Sequence, residues 1–345
     1  MNKLLLITAL ILTSTTALAQ SSLDQPTNPP PKTIPAAPIL SPGETAPEFA
    51  KPKAKPLYDE SADAKQQIAS ALGAAKKNNR RVLIQWGGNW CPWCLRMGDL
   101  MKSDKKIAHT LQYEYDLVHI HIGQSGANGE LLDTYQTKAK ADGFPYLTIL
   151  DADGKVLANQ ETSSLEVKDD KGDSVGTKAG HDPKKLLAFL ERHQAAPIDA
   201  APILTAALAD AKSSGKSVFL HFGAPWCVWC HRLEAWMAKP EVAALLAKDF
   251  IDAKLDQDRN PGAKDMLEKY SNGKSGGIPW IVLLDSAGKP LADSNATKGN
   301  IGFPAEPAEI EHFGAMLRKA AKNLSPADID ALLNSLKADK PAPAH

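Results

Sequence analysis

Two pentads, Trp90-Cys91-Pro92-Trp93-Cys94 and Trp226-Cys227-Val228-Trp229-Cys230, hold every cysteine of the chain. A disulfide across two intervening residues closes a ring too small to staple a fold, because the loop-closure contribution grows with loop length. Paired thiols at this spacing point to redox chemistry or metal binding rather than to architecture.

The pentads belong to a longer repeat. Their offset is 136 residues (227 − 91), and Ala71, Ala75, Val82 and Gly87 fall on Ala207, Ala211, Val218 and Gly223 at the same offset. Arg96 and Met101 match Arg232 and Met237. Farther on, Gly143-Phe144-Pro145 corresponds to Gly277-Ile278-Pro279, and Asp151–Lys155 to Asp285–Lys289. One unit written twice implies two copies of one fold. Within the first copy, residues 64–77 are helix-patterned and 82–86 form a strand run. The Cys motif opens a helix through Met101, and 117–122 is a strand with His119 and His121 on one face. A helix near Leu131, the strand after Pro145 and a helix capped by Asp182 and Pro183 complete a βαβ–ββα order.

A strand, Trp-Cys-x-x-Cys at a helix start, and a distal Gly-x-Pro resemble the thioredoxin superfamily, more narrowly its secreted thioredoxin-like domains with a helix ahead of the first strand. The resemblance covers about residues 57–322. It implies an α/β fold of two three-layer α/β/α domains in tandem, 57–195 and 196–323. Cys91 and Cys227 would be nucleophiles, their thiolates stabilised at a helix N-terminus, and Cys94 and Cys230 would resolve the mixed disulfide. Pro145 and Pro279 would be cis and offer backbone to an extended peptide. Trp90, Trp93, Trp226, Trp229 and Trp280 would supply apolar contact to a protein substrate. Trp86, Trp236, Met101 and Met237 read as core.

The chain departs from the family in two ways. Pro92-Trp93 and Val228-Trp229 replace the usual Gly-Pro between the cysteines, so a reductive redox poise cannot be carried over. Six residues before the first cysteine, where relatives bury a carboxylate, stand Gln85 and His221. Only His221 can titrate usefully, and it is the candidate base of the second site; a buried neutral core histidine is the competing reading. The two sites should then differ, and a relay of electrons between them is an arrangement to test.

The rest of the sequence sets the context. Lys plus Arg and Asp plus Glu both total 40, giving no electrostatic bias toward nucleic acid. Lys3, the apolar run from Leu4 to Leu12, and Ala17-Leu18-Ala19 before Gln20 read as a signal peptide (1–19) cleaved after Ala19. The expected location is the periplasm or the cell exterior. Residues 20–56 carry ten prolines and read as a disordered tether. Residues 324–345 read as a short helix, N-capped by Ser325, and a disordered tail. The expected function is exchange between thiols and disulfides of other proteins, with a membrane redox partner compatible and no cofactor beyond the four sulfurs. Three alternatives stay open. One is a non-catalytic binding or chaperone module. Another is c-type haem attachment at Cys227-Val228-Trp229-Cys230-His231. The third is a four-sulfur zinc site across the 132 residues between Cys94 and Cys227.

Overall fold

The computed structural model describes residues 55–339. The expected signal peptide, all of the expected tether before Lys55, and residues 340–345 of the expected tail lie outside them.

The first domain begins with α1 (Ala64–Asn78), whose N-cap Asp63 accepts from the Lys65 and Gln66 amides. Then come β1 (Arg81–Gly87), α2 (Pro92–Ser103), α3 (Lys105–Glu114) and β2 (Tyr115–His121). Asp104 ends α2 and caps α3 through its carboxylate, which is why one helical stretch becomes two helices. The short α4 (Gly129–Thr134) and α5 (Ala139–Asp142) lead to β3 (Tyr146–Leu150), β4 (Val156–Glu161) and α6 (Pro183–Arg192). The sheet order is β2-β1-β3-β4, with β1 parallel to β2 and antiparallel to β3. Strand alternation sends Val82, Ile84 and Trp86 into one core under α1, and Leu83 into a second core with Met97, Ile107 and Leu190. Helices thus cover both faces.

The second domain runs α7 (Ala200–Ser214), β5 (Ser217–Gly223), α8 (Val228–Met237), α9 (Pro240–Leu246), β6 (Phe250–Asp256), α10 (Ala263–Ser271), β7 (Trp280–Leu284) and β8 (Pro290–Asp293). A small hairpin, β9 (Asn295–Ala296) and β10 (Gly299–Asn300), precedes α11 (Pro307–Ala320) and α12 (Pro326–Ala338). The order β6-β5-β7-β8 repeats that of the first sheet. Each Asp-x-x-Gly-Lys stretch is a tight turn. Asp151 and Asp285 accept from the second and fourth following amides, while Gly154 and Gly288 take φ of 86° and 82°.

Three details differ from or add to the sequence reading. First, the helix begun at Ser325 is built into the second domain: Ile329, Leu332, Leu333 and Leu336 share a core with Trp236 and Phe313. Second, the strand registers set an alignment. Gln85 pairs with His119 and His221 with Lys254, so His119 is the counterpart of Lys254. Third, the link from β4 to α6 holds a 3₁₀ turn (Ser163–Leu165) and a loop closed by a Glu166–His181 bridge.

The domains meet through an end of each. Arg259, just past β6, donates to the Asn78 and Asn79 carbonyls and to Glu114. Asn79 reaches the Ala196 carbonyl, and Lys254 donates to Asn78 Oδ1 at 2.9 Å. Among the described residues no helix is long and apolar enough to cross a membrane.

Candidate active site

Both cysteine pairs are disulfides at the tip of a helix. In each, the first cysteine is the N-cap: Cys91 Sγ accepts from the Cys94 amide at 3.2 Å, and Cys227 Sγ from the Cys230 amide at 3.1 Å. The second cysteine lies in the first turn, with Cα–Cα separations of 5.2 Å in both pairs. A helix N-terminus offers unpaired amides and the positive end of the helix dipole, which favours an anionic sulfur there.

The distal prolines close each site. Phe144–Pro145 and Ile278–Pro279 are cis, and Cys91 Sγ lies 3.6 Å from the Phe144 carbonyl oxygen. Thr162 Oγ1 donates to the Pro145 carbonyl, and Asn300 Nδ2 to those of Gly277 and Pro279. In the second site a cavity of about 370 Å³ opens between Pro279, Trp229, Phe303 and Asn300.

Four of the five expected contact tryptophans stand at these mouths. Trp90 is anchored by its indole N–H on the Ile122 carbonyl, and Trp226 on Asp258. Trp93 packs edge-on against His181, whereas Trp229 stacks on Phe303 beside the Arg232 guanidinium. Trp280 does not join them. It is fully buried on the α7 face, packed on Phe222, with its N–H on Asn295. As the first residue of β7 it obeys strand alternation, which points it away from Cys227.

What lies behind the second cysteine separates the sites. In the first, Gln85 Nε2 donates to Tyr58 Oη at 2.7 Å and to the Cys94 carbonyl at 3.0 Å. Tyr58 packs on His119 and is fully buried with Cys91 and Cys94. A Cβ at Gly87 would overlap Cys94 Sγ and come within 2.8 Å of Tyr58 Oη. Burial raises the Tyr58 phenol far above its ordinary value despite the Gln85 amide. It lowers His119 to about 4, with a smaller contribution from Lys102. This surround carries no charge at neutral pH.

In the second site an ion pair takes that place. Lys254 Nζ lies 2.7 Å from Glu234, both largely buried, and a Cβ at Gly223 would sit 3.4 Å from Cys230 Sγ and 3.9 Å from Lys254 Cε. His221 is fully buried, with Nε2 on Asp252 Oδ1 at 3.0 Å. Burial acts to raise Asp252, but His221 and then Lys77 of the first domain pull its carboxyl well below the usual range.

The domain contacts also set the sites apart. Second-site residues meet the first domain at the N-terminal end of its sheet: Gln112 donates to the Pro225 carbonyl, and Tyr113 shares Asp258 with Trp226. Pro225 and His231 also line a cavity with Leu57 and His119 of the first domain. Among the described residues no group of three or more His, Cys, Asp or Glu side chains is placed to hold a metal ion, so a zinc site drawing on all four sulfurs is not formed. His231 is bonded through Nε2 to the Pro225 carbonyl at 2.8 Å.

Tyr58, Glu234 and Lys254 escaped the sequence reading. Glu234 lies four residues after Cys230 on the same helix face, a spacing that could have flagged it. Tyr58 precedes the repeat and left no such signal.

Each domain is therefore a thioredoxin-fold unit built around a Cys-x-x-Cys disulfide and a cis-proline loop. Comparison with known proteins agrees, and the chain belongs to the thioredoxin superfamily. A model described as a thioredoxin-like domain matches residues 68–163. A second, Thioredox_DsbH, described as a protein of unknown function (DUF255), matches residues 184–323. The chain is similar to the thiol:disulfide interchange protein DsbD of Vibrio cholerae, 32% identical over 110 residues, which are 32% of this chain and 17% of that protein. It is 28% identical over 98 residues to the disulfide bond reductase DsbH of Chlamydia pneumoniae, covering 27% of this chain and 59% of that one. A disulphide isomerase structure from Xylella fastidiosa is 25% identical, covering 40% of this chain and 97% of its own, at a TM-score of 0.34. The chain thus spans only part of the curated relatives it matches.

Proposed function

We propose that the protein is a thiol–disulfide oxidoreductase acting on cysteines of other proteins at two Cys-x-x-Cys sites. The observation that carries this reading is the geometry shared by both: a disulfide whose first sulfur caps a helix and faces a cis-proline loop flanked by an exposed tryptophan. The names of DsbD and DsbH support the same chemistry.

In the reducing direction, the Cys91 or Cys227 thiolate attacks one sulfur of a partner disulfide. A new S–S bond joins enzyme and partner, and the partner's other sulfur leaves as a thiolate that takes a proton from water. Cys94 or Cys230, deprotonated, then attacks the enzyme sulfur of the mixed disulfide and releases the second partner thiol. Two electrons have moved to the partner, and the enzyme disulfide has re-formed. The oxidising direction is the reverse. Helix-tip amides stabilise the attacking anion, and Trp90 and Trp226 give the partner chain an apolar wall. In the second site we assign to His221, which has one ring nitrogen held by Asp252, assistance in deprotonating Cys230.

The periplasm, as the expected destination of an exported chain, is where we place this activity, with a membrane protein of the DsbD kind as electron source or sink. Insulin reduction by the full chain tests the reading. Cys91→Ser and Cys227→Ser should each remove part of the turnover, and the double variant all of it. Undiminished turnover in the double variant would overturn the proposal in favour of a binding module. Reduction potentials of the two sites, measured separately against glutathione, give the direction.

A further inference from the structure

The segment just ahead of α1 reaches under the first site. Leu57 fills a gap that exists because Gly98 lacks a side chain; a Cβ there would lie 2.5 Å from Leu57 Cδ2. Gly98 stands four residues after Cys94, as Glu234 stands four after Cys230. Where the second domain carries a carboxylate, the first admits a strap. The backbone of that strap is pinned by Asn89, which accepts from the Tyr58 amide and donates to its carbonyl. Tyr58 Oη is thereby delivered beside the bare Gly87 Cα that Cys94 Sγ also flanks.

The direction of the hydroxyl follows from its partners. Both Gln85 amide hydrogens are engaged, one on Tyr58 Oη and one on the Cys94 carbonyl. Tyr58 Oη is an acceptor in that bond, so its own proton is free. No other acceptor meets it among the described residues.

We propose that Tyr58 is the residue that stabilises the Cys94 thiolate, donating a hydrogen bond to it once the disulfide is reduced. This rests on the oxidoreductase reading and assigns the device by which its first site resolves the mixed disulfide. No proton leaves Tyr58. The Cys94 thiol loses its proton to solvent, and the phenol holds the anion until it attacks Cys91 Sγ and becomes part of the re-formed disulfide. The raised phenol pKa keeps the donor protonated throughout the working range. The titratable groups around it are His119 on β2, neutral above about 4, Lys102 of α2, which acts on His119, and Glu60, held by Asn89.

The test uses the full chain with Cys91, Cys227 and Cys230 replaced by serine, leaving Cys94 as the only thiol. Its titration is followed by thiolate absorbance and by iodoacetamide alkylation against pH. Tyr58→Phe keeps the buried ring and removes only the donor. Its Cys94 pKa should rise by about one unit, with about tenfold slower alkylation at neutral pH. An unchanged Cys94 titration in a folded Tyr58→Phe protein overturns the assignment. Because this titration needs no substrate, it fails independently of the insulin assay, which alone reports on the oxidoreductase reading. In the wild-type background Tyr58→Phe should accumulate the Cys91 mixed disulfide and leave the second site untouched; equal accumulation at both sites would also count against it.

Discussion

The two Cys-x-x-Cys sites share a helix tip, a cis-proline and a tryptophan, yet one second cysteine is backed by neutral groups and the other by an ion pair. Behind Cys94 stand Tyr58, Gln85 and His119; behind Cys230 stand Lys254 and Glu234, with His221 and Asp252 nearby. The lesson is that a duplicated motif does not duplicate its electrostatics. The differing groups come from outside the motif: a strap upstream of the repeat in one case, and an edge strand that also binds the neighbouring domain in the other. Buried charge responds to a nearby thiolate far more strongly than a neutral dipole, so the sites should answer differently to mutation and to acid.

The comparison breaks most visibly at the ion pair. Lys254→Met leaves Glu234 buried and unpaired and should cost the second domain about 3 kcal/mol, while adding Glu234→Leu should restore most of the loss. Denaturant unfolding with hydrogen exchange in β5 and β6 reads both. If the double variant is as unstable as the single one, the pair is not an isolated unit.

Acid should separate the domains next. His119 and His181 are both held near 4 by burial, against an ordinary 6.5, and both lie in the first domain. Between those values the unfolded chain binds more protons than the folded one. First-domain stability is therefore full above pH 6.5 and falls as the pH drops toward 4, by about 2–3 kcal/mol for each histidine at most. Asp252 of the second domain has a depressed pKa, so its contribution persists until the pH falls below the ordinary 3.8. Unfolding followed in each domain at pH 7 and pH 4.5 checks the contrast; equal losses would remove it.

The smallest effect sharpens the role of the strap. Gly98→Ala must push Leu57 aside and should destabilise the first domain by about 1–2 kcal/mol, with faster exchange at the Tyr58 amide. Ala235, exposed on α8 directly after Glu234, offers the control: Ala235→Ser should change neither domain's stability measurably.

Much of the fold could be read along the chain. Strand alternation in residues 82–86, the capping of α6 by Asp182, and the Asp-x-x-Gly-Lys turns are local features, decided within a few residues. The helix tips followed from the motif, since Cys91 and Cys227 act as N-caps over the next three residues. Trp280 was misread because nearness to Pro279 in sequence says nothing about which face of β7 it occupies. Tyr58 and Lys254 stayed hidden for a different reason. Each reaches its site from another element, 27 residues from Tyr58 to Gln85 and 20 (254 − 234) from Lys254 to Glu234, with no local pattern to mark it.

The amino-acid order alone determined that there are two thioredoxin-like units and which four sulfurs they present, because periodicity and capping are short-range and survive in any environment. The tertiary structure decided what stands behind each sulfur pair and which tryptophans face outward. Those outcomes depend on packing between distant segments, where a missing side chain such as that of Gly98 decides whether a strap or a carboxylate fills the space.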